Sequence, residues 1–410
     1  LAACLLLSGC ESGAEDDAAT APAVGGGAGL ADKPLPAWRT ELLRLAFEAG
    51  SAFPLQPYVK NRARAQQQVV EVCLKLDQPQ RALEYIKKIP NWRRGMCYAH
   101  LAYYLAENGQ GEAAPPYLDL AARYGIDPLL EWRTDRVRVR IAQTHALLGH
   151  TEKAKAFQED VVPSEQGKVL AARAAASDGE GFEALVQQVD GLVAGKDFDV
   201  ATNALASAVS MYDRNFGNVE RRDVLEGKIK AVFPRLAGFA RIDLLLDMAR
   251  IALDHGNQDK ALALAGDAQG VLETCRWRLD DQIPLTARVG EWTFRAGDRE
   301  GGRAGIQAAL DLFEANREDF RVARRARLLR PIAEAYQGIG EAATALGLYE
   351  QAVEQGYSNP AIRARVDVLV DICCSMALHG AEPGADLLAR LRDMRTETLA
   401  LGRRVREALE

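Results

Sequence analysis

Residues 333–352 read AEAYQGIGEAATALGLYEQA, and within them Ala333, Tyr336, Gly340, Ala345, Tyr349 and Ala352 stand at offsets 0, 3, 7, 12, 16 and 19. Offsets 0 and 3 share one face of a first helix and 12, 16 and 19 share one face of a second, with Gly340 at the turn between them. Alanine where two helices cross lets their backbones approach, and the larger Tyr fills the flanking space. The stretch therefore encodes a helical hairpin closed through small residues.

The same beat recurs along the chain. Three further copies are Ala102, Leu105, Gly109, Ala114, Leu118, Ala121; Ala142, His145, Gly149, Ala154, Gln158, Val161; and Ala249, Ala252, Gly256, Ala261, Ala265, Ala268. Looser ones run through Gly290, Thr293, Gly297, Gly302, Ile306, Ala309, through Ala172, Ala175, Gly179, Ala184, and through Val70, Cys73, Asp77, Ala82, Ile86, Ile89. Cys373, Met376, Gly380, Ala385 and Ala389 make the last. An ordinary bundle has no reason to repeat one hairpin phrase so often, so the expected fold is an all-α solenoid of about nine helix-turn-helix repeats over 37–410.

In this phrase, from about Trp38 to the end, the chain resembles the tetratricopeptide repeat (TPR) family, whose consensus places a small residue, an aromatic or aliphatic, Gly, Ala, an aromatic and Ala at those offsets. The resemblance implies a right-handed superhelix with ligands held in a concave groove lined by the first helices. The spacing departs from the family's unit of about 34 residues, since Gly256 to Gly297 is 41 and Gly297 to Gly340 is 43. Between Asn203 and Leu236 the fit is worst, with Asn215 and Glu220 in the Gly and Ala places and Pro234 interrupting. A degenerate repeat and a bend near 215–237 are expected there.

The N-terminus carries a second signal. Leu1 to Leu7 are mostly apolar, Ser8-Gly9-Cys10 follow, and the sequence then turns polar. Leu7-Ser8-Gly9-Cys10 resembles the bacterial lipobox, in which small residues precede a lipidated Cys. There is no initiating Met or basic leader, so 1–9 is expected to be a truncated signal peptide. Cys10 would carry the lipid, and 10–36, rich in Gly, Ala, Asp and Pro, would be a disordered tether. Glu11 rather than Asp after the Cys favours the outer membrane of a Gram-negative envelope. No other stretch reaches the ~18 uninterrupted apolar residues of a membrane helix.

Composition narrows function by exclusion. The net charge of −6 and the lack of a nucleic-acid motif argue against a general polyanion binder. The chain holds no phosphate-loop, zinc-protease or nucleophile-elbow motif and no C-x-x-C, so no catalytic residue, cofactor or metal is expected. His145 takes an aromatic position of the beat and reads as a core residue. Beyond Cys4 and Cys10, five cysteines remain; Cys73 and Cys97 fall too far apart along their helices to pair, Cys373 reads as core, and Cys374 is the thiol to test for reactivity.

Carried over each copy, the register names the side chains lining a groove. They are Arg64, Gln67 and Glu71, then Met96 and Tyr103, then Arg136 and Gln143, then Arg173, then Asp243 and Arg250, then Glu291, and finally Arg327, Arg330, Glu334 and Gln337. Recurrent Arg suits carboxylates, which its planar fork binds bidentately, although Arg also pairs with neighbouring Asp and Glu on any solvated surface. The Lys/Asn carboxylate clamp of chaperone-binding members is absent from these positions. The expectation is a lipid-anchored, non-catalytic scaffold for a protein or peptide partner. Two alternatives remain, a cell-wall or outer-membrane assembly factor binding glycan or a wall enzyme, and a hydrolase, for which a buried carboxylate pair in the groove would be the sign.

Overall fold

A computed structural model of the chain describes residues 30–126, 131–159, 161, 169, 182–195 and 198–409. Among them there is no strand. The helices are α1 (Ala37–Gly50), α2 (Leu55–Lys75), α3 (Pro79–Ile86), α4 (Arg93–Glu107), α5 (Pro115–Gly125), α6 (Glu131–Leu147), α7 (Thr151–Glu159), α8 (Phe182–Ala194) and α9 (Phe198–Arg214). After these come α10 (Val219–Ala231), α11 (Gly238–Asp254), α12 (Gln258–Thr274), α13 (Leu279–Arg295), α14 (Arg299–Ala315), α15 (Val322–Gly338), α16 (Ala342–Tyr357), α17 (Ile362–His379) and α18 (Ala385–Glu407).

The beat is the packing code of these hairpins. Ala333, Ala345, Tyr349 and Ala352 are fully buried, as are Ala102, Ala114, Ala121, Ala249, Ala261 and Ala268 in their own copies. The turn residues Gly109, Gly149, Gly256, Gly297, Gly340 and Gly380 all have positive φ, and so does Asp77, which stands in the Gly place of its copy. Each ends its helix in the left-handed conformation, after which Asn257 and Asp298, for example, cap the next helix by accepting from Lys260 N and Gly301 N. At one close crossing, a Cβ on Gly290 would stand 2.7 Å from Ile306 N, so α13 and α14 meet backbone to backbone.

Each first helix packs on the next first helix, whereas successive second helices make at most marginal contact. The first helices thus lie on the inside of a curve and the second helices splay outside it. Inner helices α9, α11, α13, α15 and α17 follow one another, and α17 then packs on α2, which continues through α4 to α6. The first and last described helices therefore meet in the middle of the arc. Copies of Ala172 to Gly179 and groove residue Arg173 lie outside the described residues.

The closure corrects the last copy of the beat. Ala385 and Ala389 are exposed, and α18 is not the outer partner of α17. That place is taken by α1, which packs on α17 as closely as a sequential hairpin partner and on α2 as an outer helix does on the next inner one. Leu42, Ala46 and Ala49 in α1 are fully buried and repeat the small-residue spacing of a second helix. Burying Leu42, Leu43, Leu45 and Phe47 at about 1.5–3 kcal/mol each contributes roughly 6–12 kcal/mol before entropy is counted. Across the junction Gln68 Nε2 donates to Asp371 Oδ1 at 2.9 Å. The α18 helix runs alongside α1, with Arg392 to Glu41 at 3.1 Å and Arg395 to Glu48 at 3.3 Å.

Two further readings of the sequence meet the structure here. Within the segment assigned to the tether, residues 30–35 are held: Asp32 Oδ1 accepts from Gln80 N at 2.8 Å at the start of α3, and Lys33 pairs with Asp77 at 2.7 Å. The degenerate repeat is not a break in the core, because Phe216, Leu225, Ile229, Val232 and Leu236 are buried in one cluster with α9 and α11. Asn215 does the work of the missing Gly by donating from Nδ2 to Met211 O at 2.9 Å, satisfying a helix-end carbonyl.

Candidate functional site

The inner helices present a polar wall, and the side chains named by the register sit on it, linked from helix to helix. On α2, Gln67 Nε2 donates to Glu71 Oε1 at 2.7 Å, and Glu71 lies 3.5 Å from His100 Nε2 on α4. Burial pushes His100 down to about 3, so this contact is not an ion pair at neutral pH. Arg140 of α6 covers the Tyr103 ring of α4 at 4.4 Å. Arg64 and Arg136 are exposed, while Met96, Tyr103 and Gln143 are half-buried.

Farther round the wall, Asp243 of α11 pairs with Arg288 of α13 at 2.8 Å, and Arg250 pairs with Asp254 along its own helix at 2.9 Å. Arg327 of α15 reaches Asp367 of α17 at 2.8 Å. Gln337 Nε2 donates to Gly380 O at 3.3 Å. Several wall arginines are thus answered by acids from the wall itself.

A buried polar chain crosses three helices behind this surface. Tyr349 OH stands 2.8 Å from Ser375 Oγ, and Ser375 donates to Glu334 Oε1 at 2.6 Å. Arg330 Nη1 lies 3.7 Å from the same carboxylate. Beside it, Glu291 is 9% exposed and its Oε1 lies 3.2 Å from Arg295 Nε. Burial, opposed by Arg295 and reinforced by the charge of Glu334, pushes the Glu291 carboxyl up to about 7. The two carboxylates each have a guanidinium partner, Ser375 donates to a carboxylate rather than to an imidazole, and His379, one turn farther along α17, feels the charge of Glu334. Such an arrangement ties α15, α16 and α17 together. Among the described residues no group of three His, Cys, Asp or Glu could hold a metal ion.

The remaining candidates are packing residues. His145 is 8% exposed, stacks on Phe157 at 5.9 Å, and is pushed down to about 4 by burial. Cys73, Cys97, Cys373 and Cys374 are free and buried, and burial holds the Cys374 thiol well above its usual range, which disfavours the thiolate. Cys10 lies outside the described residues.

The structure adds residues that the register passed over. Asp367 occupies the place of Arg64, Arg136 and Arg327, six residues before the first small residue of the beat, and Arg93 and Arg363 lie about one turn earlier. Counting one turn farther toward each helix start would have found them. Near the starts of α15 and α17 these residues border a cavity of about 400 Å³ lined by Arg321, Arg324, Arg327, Arg363 and Asp367.

No protein-family model matches the sequence, and no curated protein does. Among solved structures, one described as a circular tandem repeat protein with novel repeat topology and enhanced subunit contact surfaces is similar, at a TM-score of 0.29 and 14% identity over 90% of this chain and 97% of that one. A superposition that loose carries no residue correspondence.

Proposed function

We propose that this chain is a non-catalytic interaction scaffold, held at a bacterial envelope by a lipid on Cys10, with a protein or peptide partner on its inner wall. The observation that carries the reading is the wall itself: a polar surface to which successive inner helices contribute exposed and half-buried polar side chains, backed by a core of hairpins that gives it rigidity. No helix among the described residues is long and apolar enough to cross a membrane, so attachment would fall to the N-terminal lipid. Two or three acyl chains hold stably at about 0.8 kcal/mol per buried CH₂. Because residues 30–35 are fixed to the body, the free tether would run from Cys10 to Leu30, with an r.m.s. span of roughly 25 Å.

Two measurements test this. A photo-crosslinking amino acid at Tyr103, on the wall, should capture a protein in intact cells that the same group at exposed Leu262, on an outer helix, does not. Radioactive palmitate should label the wild type and not Cys10→Ala. Equal capture from both positions removes the wall, and equal labelling of both chains removes the anchor.

A further inference from the structure

We propose that the partner engages the wall through an acidic, extended peptide segment laid across the basic lane formed by Arg327, Arg363, Arg64, Arg93 and Arg136. The inference rests on the protein-partner reading and names the chemistry of that partner.

These five arginines come from α15, α17, α2, α4 and α6, which are distant in sequence but consecutive along the inner wall because α17 packs on α2. All except the half-buried Arg93 are exposed. Burial first, and then the charges of Arg64 and Arg136, opposed by Glu71, hold the Arg93 guanidinium below its usual value, so the three cations are close enough to repel, and Glu71 joins Asp367 as an acid beside the five arginines. Asp367 answers Arg327 at 2.8 Å and Arg363 at 3.9 Å, and Arg64 has no ion-pair partner among the described residues. The lane keeps a positive surplus in a chain whose net charge is −6.

Local stability does not account for this placement. The first turns of α2, α4, α15 and α17 contain no acidic residue, and these helices carry arginines in their N-terminal halves. Arg93 and Arg363, in the first turns of α4 and α17, oppose the helix dipole by about 0.3–1 kcal/mol each. First-turn acids do occur elsewhere in the molecule, as Glu220, Asp259, Asp280 and Glu300 in α10, α12, α13 and α14. An anion on the lane would satisfy both the guanidinium groups and the helix starts. The cavity between the starts of α15 and α17, about 400 Å³, has room for a carboxylate side chain between Arg327 and Arg363. Because the lane lies on a concave wall, a flat bilayer cannot touch its five members together, whereas an extended chain can.

The test uses the chain from residue 11 onward and fluorescent twelve-residue peptides, one of alternating Glu and Gly and one of alternating Gln and Gly, read by anisotropy. The Glu peptide should bind, and the Gln peptide should bind at least tenfold more weakly. Raising salt from 50 to 200 mM should weaken the Glu peptide severalfold. Arg64→Glu/Arg136→Glu/Arg327→Glu should lose at least tenfold in affinity; Arg64→Gln/Arg136→Gln/Arg327→Gln, a milder change, should lose less. Both should keep wild-type helicity by circular dichroism. Arg403→Glu, exposed on α18 away from the wall, should bind as wild type does. Equal binding by the charge-reversed and wild-type chains overturns the lane. So does an unbound Glu peptide, or stronger binding of anionic vesicles or RNA than of that peptide. If photo-crosslinking at Tyr103 still captures a protein after charge reversal, the acidic segment fails while the scaffold stands; if nothing is captured from wild type, the scaffold itself fails.

Discussion

At the scale of single residues, Glu291 makes the sharpest prediction. Its carboxyl titrates at about 7 in the folded chain against an ordinary value of 4.5, because burial disfavours its charge more than Arg295 favours it. Between those values the folded state holds a proton that the unfolded state has lost, so stability falls as pH rises from about 4.5 to about 7 and then levels. Roughly 3 kcal/mol of destabilisation at pH 8 follows from that difference. Glu291→Gln should therefore gain up to about 3 kcal/mol over wild type in urea unfolding at pH 8, and the gain should vanish near pH 4; a gain independent of pH would refute the assignment. The register put Glu291 on an inner helix and facing the groove, whereas its side chain is buried behind the wall. Its protonation was not legible in the sequence, because that depends on Arg295 one turn away and on Glu334 and the crowding of α15. His145 and Cys373 show the opposite case, where a place in the beat was enough to mark a packed core residue.

At the scale of helices, the beat shows which segments pair when they are neighbours in sequence, and it fails where they are not. Hairpins α15–α16 and α11–α12 follow it, down to the left-handed Gly at each turn. The last copy misassigns α18 because Ala385 and Ala389 stand at the right offsets by spacing alone, while the helix that fills the place lies more than 300 residues earlier. Local periodicity records the face a helix buries and contains nothing about which distant face covers it. The junction can be tested by Gln68→Cys/Asp371→Cys in a chain from residue 11 onward that also carries Cys275→Ser, leaving only buried native thiols. A short bismaleimide should join the two new thiols within one native molecule, giving a slowed band on a denaturing gel that disappears if the chain is unfolded before reaction. Crosslinks found only between molecules would mean that α1 covers α17 of a second copy, and none at all would separate α2 from α17.

At the scale of the whole molecule, placing the first and last described helices inside the arc changes what holds the scaffold together. In an open solenoid a terminal helix can be lost at little cost to the rest, because each repeat touches only its neighbours. Here α1 is an internal part, covered by α17 on one side and α2 on the other, with α18 fastened along it and a Cβ on Gly402 placed 2.1 Å from Ala52 O. Its connection to α2 matters less than its presence. The matching prediction is a circular permutant that begins at Leu55, runs to Glu407, and returns through a flexible linker to residues 37–54, keeping α1 and the buried Phe53. Since α18 runs alongside α1 and ends near Ala52, the linker must span about 21 Å, the length of the 14-residue helix, which roughly 15 Gly and Ser residues reach easily. The permutant should keep wild-type helicity and unfold in a single transition within a few degrees of wild type. Removal of 1–54 without return of α1 should expose the apolar face of α17, lower the transition by well over 10 °C or cause aggregation, and abolish hydrogen-exchange protection in α17 as well as in α2. If the deletion unfolds at the same temperature as the permutant, α1 does not close the arc, and the basic lane that crosses from α17 to α2 loses its support with it.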